Sequence, residues 1–147
     1  MNIPKFAKGI KDQIKEPVVV NQGEIEVDRF TGVFTYPKAD ERELIRIAFT
    51  TDGINKAKAL KILGEQEKKD DINVTNEMIQ KAWEPMNQEM DKMLKDWFIK
   101  GETDDEREWT DGLLDELLEL PEYRDGLFAA LKRISNGKHL KAQAVKN

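Results

Sequence analysis

Six side chains set the tightest limit on how this chain can fold. Ile79, Trp83, Met86, Met90, Met93 and Trp97 step by 4, 3, 4, 3 and 4. Steps of three and four put them on one side of an α-helix and make a heptad-like seam that has to meet another apolar surface. Leu94 and Phe98 widen it. The spacing predicts a long helix over 74–100, with Gly101 as its stop. Pro85 lies inside the pattern, removes one amide donor and crowds the carbonyl of Lys81. Either the helix kinks there or a new helix starts there.

The remainder divides around that seam. In 1–16, Ile3, Phe6, Ile10 and Ile14 recur every three or four residues with Lys5, Lys8, Lys11 and Lys15 between them, which predicts a short amphipathic segment ended by Pro17. The β-branched and aromatic residues of 18–36 predict two or three short strands, with turns at Asn21-Gln22-Gly23 and at Asp28-Arg29 and a bulge at Gly32. Asp40 with Glu43 reads as a capping box for a helix carrying Leu44, Ile45, Ala48 and Phe49. Thr51 or Asp52 then caps another helix that Gly64 ends. Thr103 with Glu106 opens a helix reaching Leu120, and Pro121 suits the first turn of the last one, closed by Gly137. The expected fold is mainly α, about five helices after a small N-terminal β hairpin or short sheet, as a single α-rich domain over 17–137 with its β element at 18–36. A mobile basic tail follows over 138–147.

Composition removes several classes of function. The chain has 147 residues, 39% hydrophobic and 36% charged, enough for one domain with a core and too apolar for global disorder. It has no cysteine, so disulfides and thiolate ligands are impossible. The early apolar run Val18–Val20 is too short for a signal peptide or a membrane span, and the expected location is the cytoplasm. Residues 102–125 hold eleven acids against Arg107 and Arg124, a net −9, whereas 132–147 carry +5 and no acid. An acidic block of that density repels nucleic acid.

No catalytic or metal site stands out. The one histidine, His139, falls in the basic tail, leaving no base for a hydrolytic triad and too few soft ligands for zinc. Neither 70–80 nor 102–112 has the alternating ligands and sixth-position glycine of an EF-hand. Asp111, Asp115 and Glu119 are four apart and would share a helix face, read as a solvated acidic surface. No phosphate-cradling glycine loop is present. The expectation is a protein that is not an enzyme and takes no cofactor.

The methionines carry the functional reading. Met78, Met86, Met90 and Met93 bring flexible thioethers, which adapt to varied apolar partners, and Trp83, Trp97 and Phe98 flank them as aromatic anchors. Two readings stay open: ordinary core packing, or a partly exposed groove for a partner helix. Both hold if the seam joins copies in a homo-oligomer. The candidate partner-binding residues are Met86, Met90, Met93 and Trp97, with Trp109 and Phe128 as secondary anchors.

Trp97-Phe98-Ile99-Lys100-Gly101, an acidic linker, and then Leu113-Leu114-Asp115-Glu116-Leu117-Leu118-Glu119-Leu120-Pro121-Glu122-Tyr123-Arg124-Asp125-Gly126-Leu127-Phe128-Ala129-Ala130-Leu131 resemble the tail assembly chaperones of long-tailed bacteriophages. Phe34-Thr35-Tyr36-Pro37 and the following Lys38 to Leu44 resemble the strand-to-helix junction of some members. The resemblance covers about 100 residues and is one of residue classes. It implies a non-enzymatic protein of the infected host's cytoplasm that keeps the apolar, helical tape measure protein soluble while tail tube protein polymerises around it, without nucleic acid or membrane as partner. Two other classes compete. A structural virion protein, such as a head–tail connector or helical adaptor, would be found in purified particles. A nucleic-acid-binding regulator would use the basic tail.

Overall fold

Two long strands form first along the chain, β1 (Gln13–Gln22) and β2 (Ile25–Thr35), joined at a tight turn where Gly23 takes a φ of 64°. A computed structural model describes residues 12–137. The hairpin is antiparallel from Gln13↔Thr35 to Gln22↔Ile25, with one irregularity after Val20. Its inner face places Val18, Val20, Phe30 and Phe34 in the core. Asp28 and Arg29 continue β2 opposite Val20 and Val19, so the turn expected there is absent. The β1–β2 pairing runs evenly through Gly32↔Glu16. A Cβ on Gly32 would sit 2.7 Å from the Phe34 ring, so packing is what favours glycine there.

The expectation for 1–16 is corrected where the structure describes it. Ile14 pairs with Phe34, and the strand runs through Pro17. β pairing with a strand twenty residues away outweighs a weak helical period. The rest of that segment, and the tail 138–147 with His139, lie outside the described residues.

The fold is α+β, and the expectation of a mainly helical chain with about five helices is corrected. Among the described residues there are one three-stranded antiparallel sheet, ordered β1-β2-β3, and four helices. Two expected helices are one, α1 (Ala39–Asp70), which passes through Gly53 and Gly64. A glycine costs a helix only about 1 kcal/mol relative to alanine and does not by itself end one. The helix starts two residues earlier than expected, with the Lys38 amide donating to Glu41 Oε1 at 2.8 Å. It ends at Asp71 in the left-handed region, φ 52°.

The second helix, α2 (Asn76–Trp97), is capped by Thr75, whose hydroxyl accepts from the Met78 amide at 3.2 Å. It runs unbroken past Pro85. It stops four residues short of Gly101, because Phe98–Glu102 is β3, paired with β2 through Phe34↔Phe98 and Gly32↔Gly101. The expected helix over 103–120 shrinks to α3 (Leu113–Leu118). Thr103 is not its cap: its hydroxyl donates to the Arg107 carbonyl at 3.1 Å inside a loop.

α4 (Pro121–Ser135) closes the fold. It runs against β1, one of the two edge strands. Arg133 donates to the Pro17 carbonyl at 2.7 Å, and Gly126 lies so close that a Cβ there would be 2.5 Å from the Val19 carbonyl oxygen. Its Leu127, Leu131 and Ile134 meet Val18, Phe34, Ile45 and Leu94 in a single core. No helix among the described residues is long and apolar enough to cross a membrane.

Candidate docking groove

α1 and α2 lie side by side, but only part of each faces the core. Ile45 is buried and Phe49 packs against the core from α1, and Leu94 and Met93 do so from α2. One turn around α1, Leu44, Ile47 and Ala48 point elsewhere. Together with Thr51, Asp52 and Asn55 they form one wall of an open groove of about 430 Å³ whose other wall is Met86, Glu89, Met90 and Met93. Leu44 is 65% exposed and Ile47 51%, so the α1 lip presents branched aliphatic side chains to solvent.

The methionine seam is therefore divided along its length. Met90 forms the floor, 6% exposed, and Met86 and Met93 are half-buried on the groove wall. Farther toward the N-terminus of α2, Trp83 fixes the two helices to each other. Its indole donates to the Lys56 carbonyl at 3.2 Å, and the Lys56 ammonium lies 5.6 Å from its ring. A donor that ties one helix to the other's backbone sets the width of the groove beyond the core.

The six sequence candidates separate. Met86, Met90 and Met93 come together in the groove. Trp97 is half-buried against the core. Trp109 covers Gly101, where a Cβ would be 2.7 Å from its ring, and tilts against Phe98 and Phe30 at centroid distances of 5.3 and 6.0 Å. Phe128 stands edge-on to Phe49 at 6.2 Å beneath the Arg124 guanidinium. These three aromatics pack the fold and do not line the groove. Sequence reasoning missed the α1 wall. The signal was present in Leu44, Ile45, Ala48 and Phe49, an apolar arc too broad for one contact, of which the core takes Ile45 and Phe49.

Asp52 and Glu89 line the groove, and Glu89 pairs with Lys92 at 3.6 Å. Asp52 Oδ2 pairs with Lys56 at 3.0 Å, while Oδ1 is buried with no hydrogen-bond partner among the described residues.

The acidic block is partly tied down. Asp28 Oδ2 accepts from Arg107 and from the Tyr123 hydroxyl, each at 2.7 Å. The Arg107 hydrogen bond holds Asp28 below the usual carboxylate range, and the bond to Asp28 pushes Tyr123 up. Arg107 also grips Asp105, lowering its carboxyl to about 2. Asp115 pairs with Lys95 across α3 and α2. Asp111 precedes α3, so the expected row of Asp111, Asp115 and Glu119 on one helix face is corrected. Among the described residues no group of three or more histidines or acids is set to hold a metal ion.

No protein-family model, curated protein or solved structure matches the chain.

Proposed function

We propose that this chain is a non-enzymatic assembly chaperone of the host cytoplasm that holds an apolar helix of a tape measure protein in the groove between α1 and α2 and keeps it soluble until tail tube protein covers it. The open groove carries the reading: three thioethers on one wall and exposed Leu44 and Ile47 on the other. A helix laid there buries its own apolar stripe against side chains that adjust to many sequences. Aliphatic side chains left in water at a concave surface mark an interaction site, and the net charge of −5 on the chain keeps a loaded complex soluble. The resemblance of 97–131 to the phage tail assembly chaperones supplies the client.

Co-expression with tape measure fragments tests the proposal. The fragments are expected in the soluble fraction with the wild-type chain and in the pellet with Leu44→Asp/Met86→Asp. Equal solubility with and without the chain rejects it.

A further inference from the structure

α1 carries a second seam with the spacing of the methionine one. Asp40, Leu44, Ile47, Thr51, Ile54 and Lys58 step by 4, 3, 4, 3 and 4, so they form one stripe along about five turns of the helix. All six are exposed, whereas the core takes Ile45 and Phe49 from the other side of α1. The two ends of the stripe carry opposite charge, and neither charge is spent inside the molecule. Glu43 pairs with Arg46 and Asp52 with Lys56, but Asp40 and Lys58 make no ion pair or side-chain hydrogen bond among the described residues. Lys58 lies 18 positions after Asp40, about 27 Å along the helix, so the two cannot meet within one molecule. The stripe is complementary to itself in reverse. Two copies laid antiparallel bring Asp40 of each to Lys58 of the other, Leu44 to Ile54, and Ile47 to Thr51. Laid parallel they set Asp40 against Asp40 and Lys58 against Lys58, which repel.

We propose that two copies of this chain pair antiparallel through the outer stripe of α1, held in register by the two Asp40–Lys58 contacts between copies. The pairing takes three half-exposed aliphatic side chains of each copy, Leu44, Ile47 and Ile54, out of water. Leu44, Ile47 and Thr51 also line the groove, so a second copy and a client helix compete for them. That competition rests on the groove being the client site; the pairing itself does not.

Sedimentation equilibrium on the full chain tests it. The wild-type chain is expected to show a monomer–dimer equilibrium. Asp40→Lys and Lys58→Asp each set two like-charged contacts across the seam and are expected to weaken the dimer about tenfold. The double variant Asp40→Lys/Lys58→Asp and an equimolar mixture of the two single variants are both expected to restore it, because each puts opposite charges together again. Recovery in the mixture cannot come from a repair within one chain. A wild-type chain that stays monomeric at millimolar concentration overturns the proposal. So does a dimer that the single charge reversals leave as tight as before, or one that neither the double variant nor the mixture restores. Ile54 belongs to the stripe and does not line the groove, so Ile54→Asp is expected to be monomeric and still keep tape measure fragments soluble; an Ile54→Asp dimer as tight as the wild type overturns the pairing. A monomeric wild type with intact rescue would remove the dimer and leave the chaperone reading standing. A dimer that obeys the charge reversals without rescue would do the reverse.

Discussion

Arg133 of α4 donates through Nε to Glu16 Oε2 at 2.7 Å, joining two residues 117 positions apart, and the Glu16 side chain is fully buried. A second nitrogen of the same guanidinium satisfies the Pro17 carbonyl, so one side chain both neutralises a sealed carboxylate and covers an open strand edge. Taking one partner from a buried ion pair costs about 3–5 kcal/mol. Arg133→Ala is expected to lower the unfolding free energy from urea denaturation by an amount in that range, with Arg133→Lys recovering only part because it cannot fork to both acceptors. A loss under about 1 kcal/mol, the range of an exposed pair, would contradict this placement of α4.

Two glycines make a pair of opposite sign. Gly126→Ala drives a methyl toward the Val19 carbonyl, and overpacking of this kind costs about 1–3 kcal/mol. Gly53→Ala meets nothing within 4 Å in mid-helix and is expected to stabilise by about 0.5–1 kcal/mol. Thermal unfolding of the two variants checks both signs.

The groove and the core are separable by substitution. Leu94→Ala empties a fully buried site and is expected to cost about 2–5 kcal/mol. Leu44→Asp changes an exposed lip residue and should move stability by no more than about 0.5 kcal/mol, while tape measure rescue is lost. Circular dichroism melts beside the solubility assay read the two effects apart.

Acid should release the loop around Arg107. Asp105 is held at about 2 against an ordinary 3.8, a depressed carboxyl. Its contribution is complete above pH 4 and fades as the pH falls through the folded value near 2. Arg107→Gln removes the largest cause, so the Asp105 midpoint in a carboxyl NMR titration is expected to rise toward 3.8. Tyr123 should titrate closer to its ordinary value in the same variant only if its bond to Asp28 is also disturbed. An unmoved Asp105 midpoint would show that Arg107 is not what lowers it.

Local pattern exposed much of the helical part. The 79–97 seam is α2, and Pro121 and Gly137 bracket α4, because capping chemistry and a period of 3.6 are written into neighbouring residues. The places where reading failed have two causes. β1 begins at Gln13, not after Pro17. β3 takes Phe98–Glu102 out of an apparent helix, and Gly64 does not end α1. For the strands a partner distant in sequence decides, Phe34 for Ile14 and for Phe98, whereas at Gly64 a single glycine is too weak a breaker to end a helix.

The candidate site followed the same division. The sequence alone determined that Met86, Met90 and Met93 share one helix face, since their spacing is a matter of local geometry. It could not say whether that face is sealed. Burial depends on how far α1 leans toward α2, which Trp83 and the core around Leu94 and Ile45 decide together. Only the tertiary structure turned Leu44 from a helix-face residue into a lip, set Ile47 beside it, and moved Trp109 and Phe128 from the groove into the packing of the sheet and of α1. A local period records which residues travel together on an element. The surface they meet is set by contacts that close over scores of residues, and those no local period can carry.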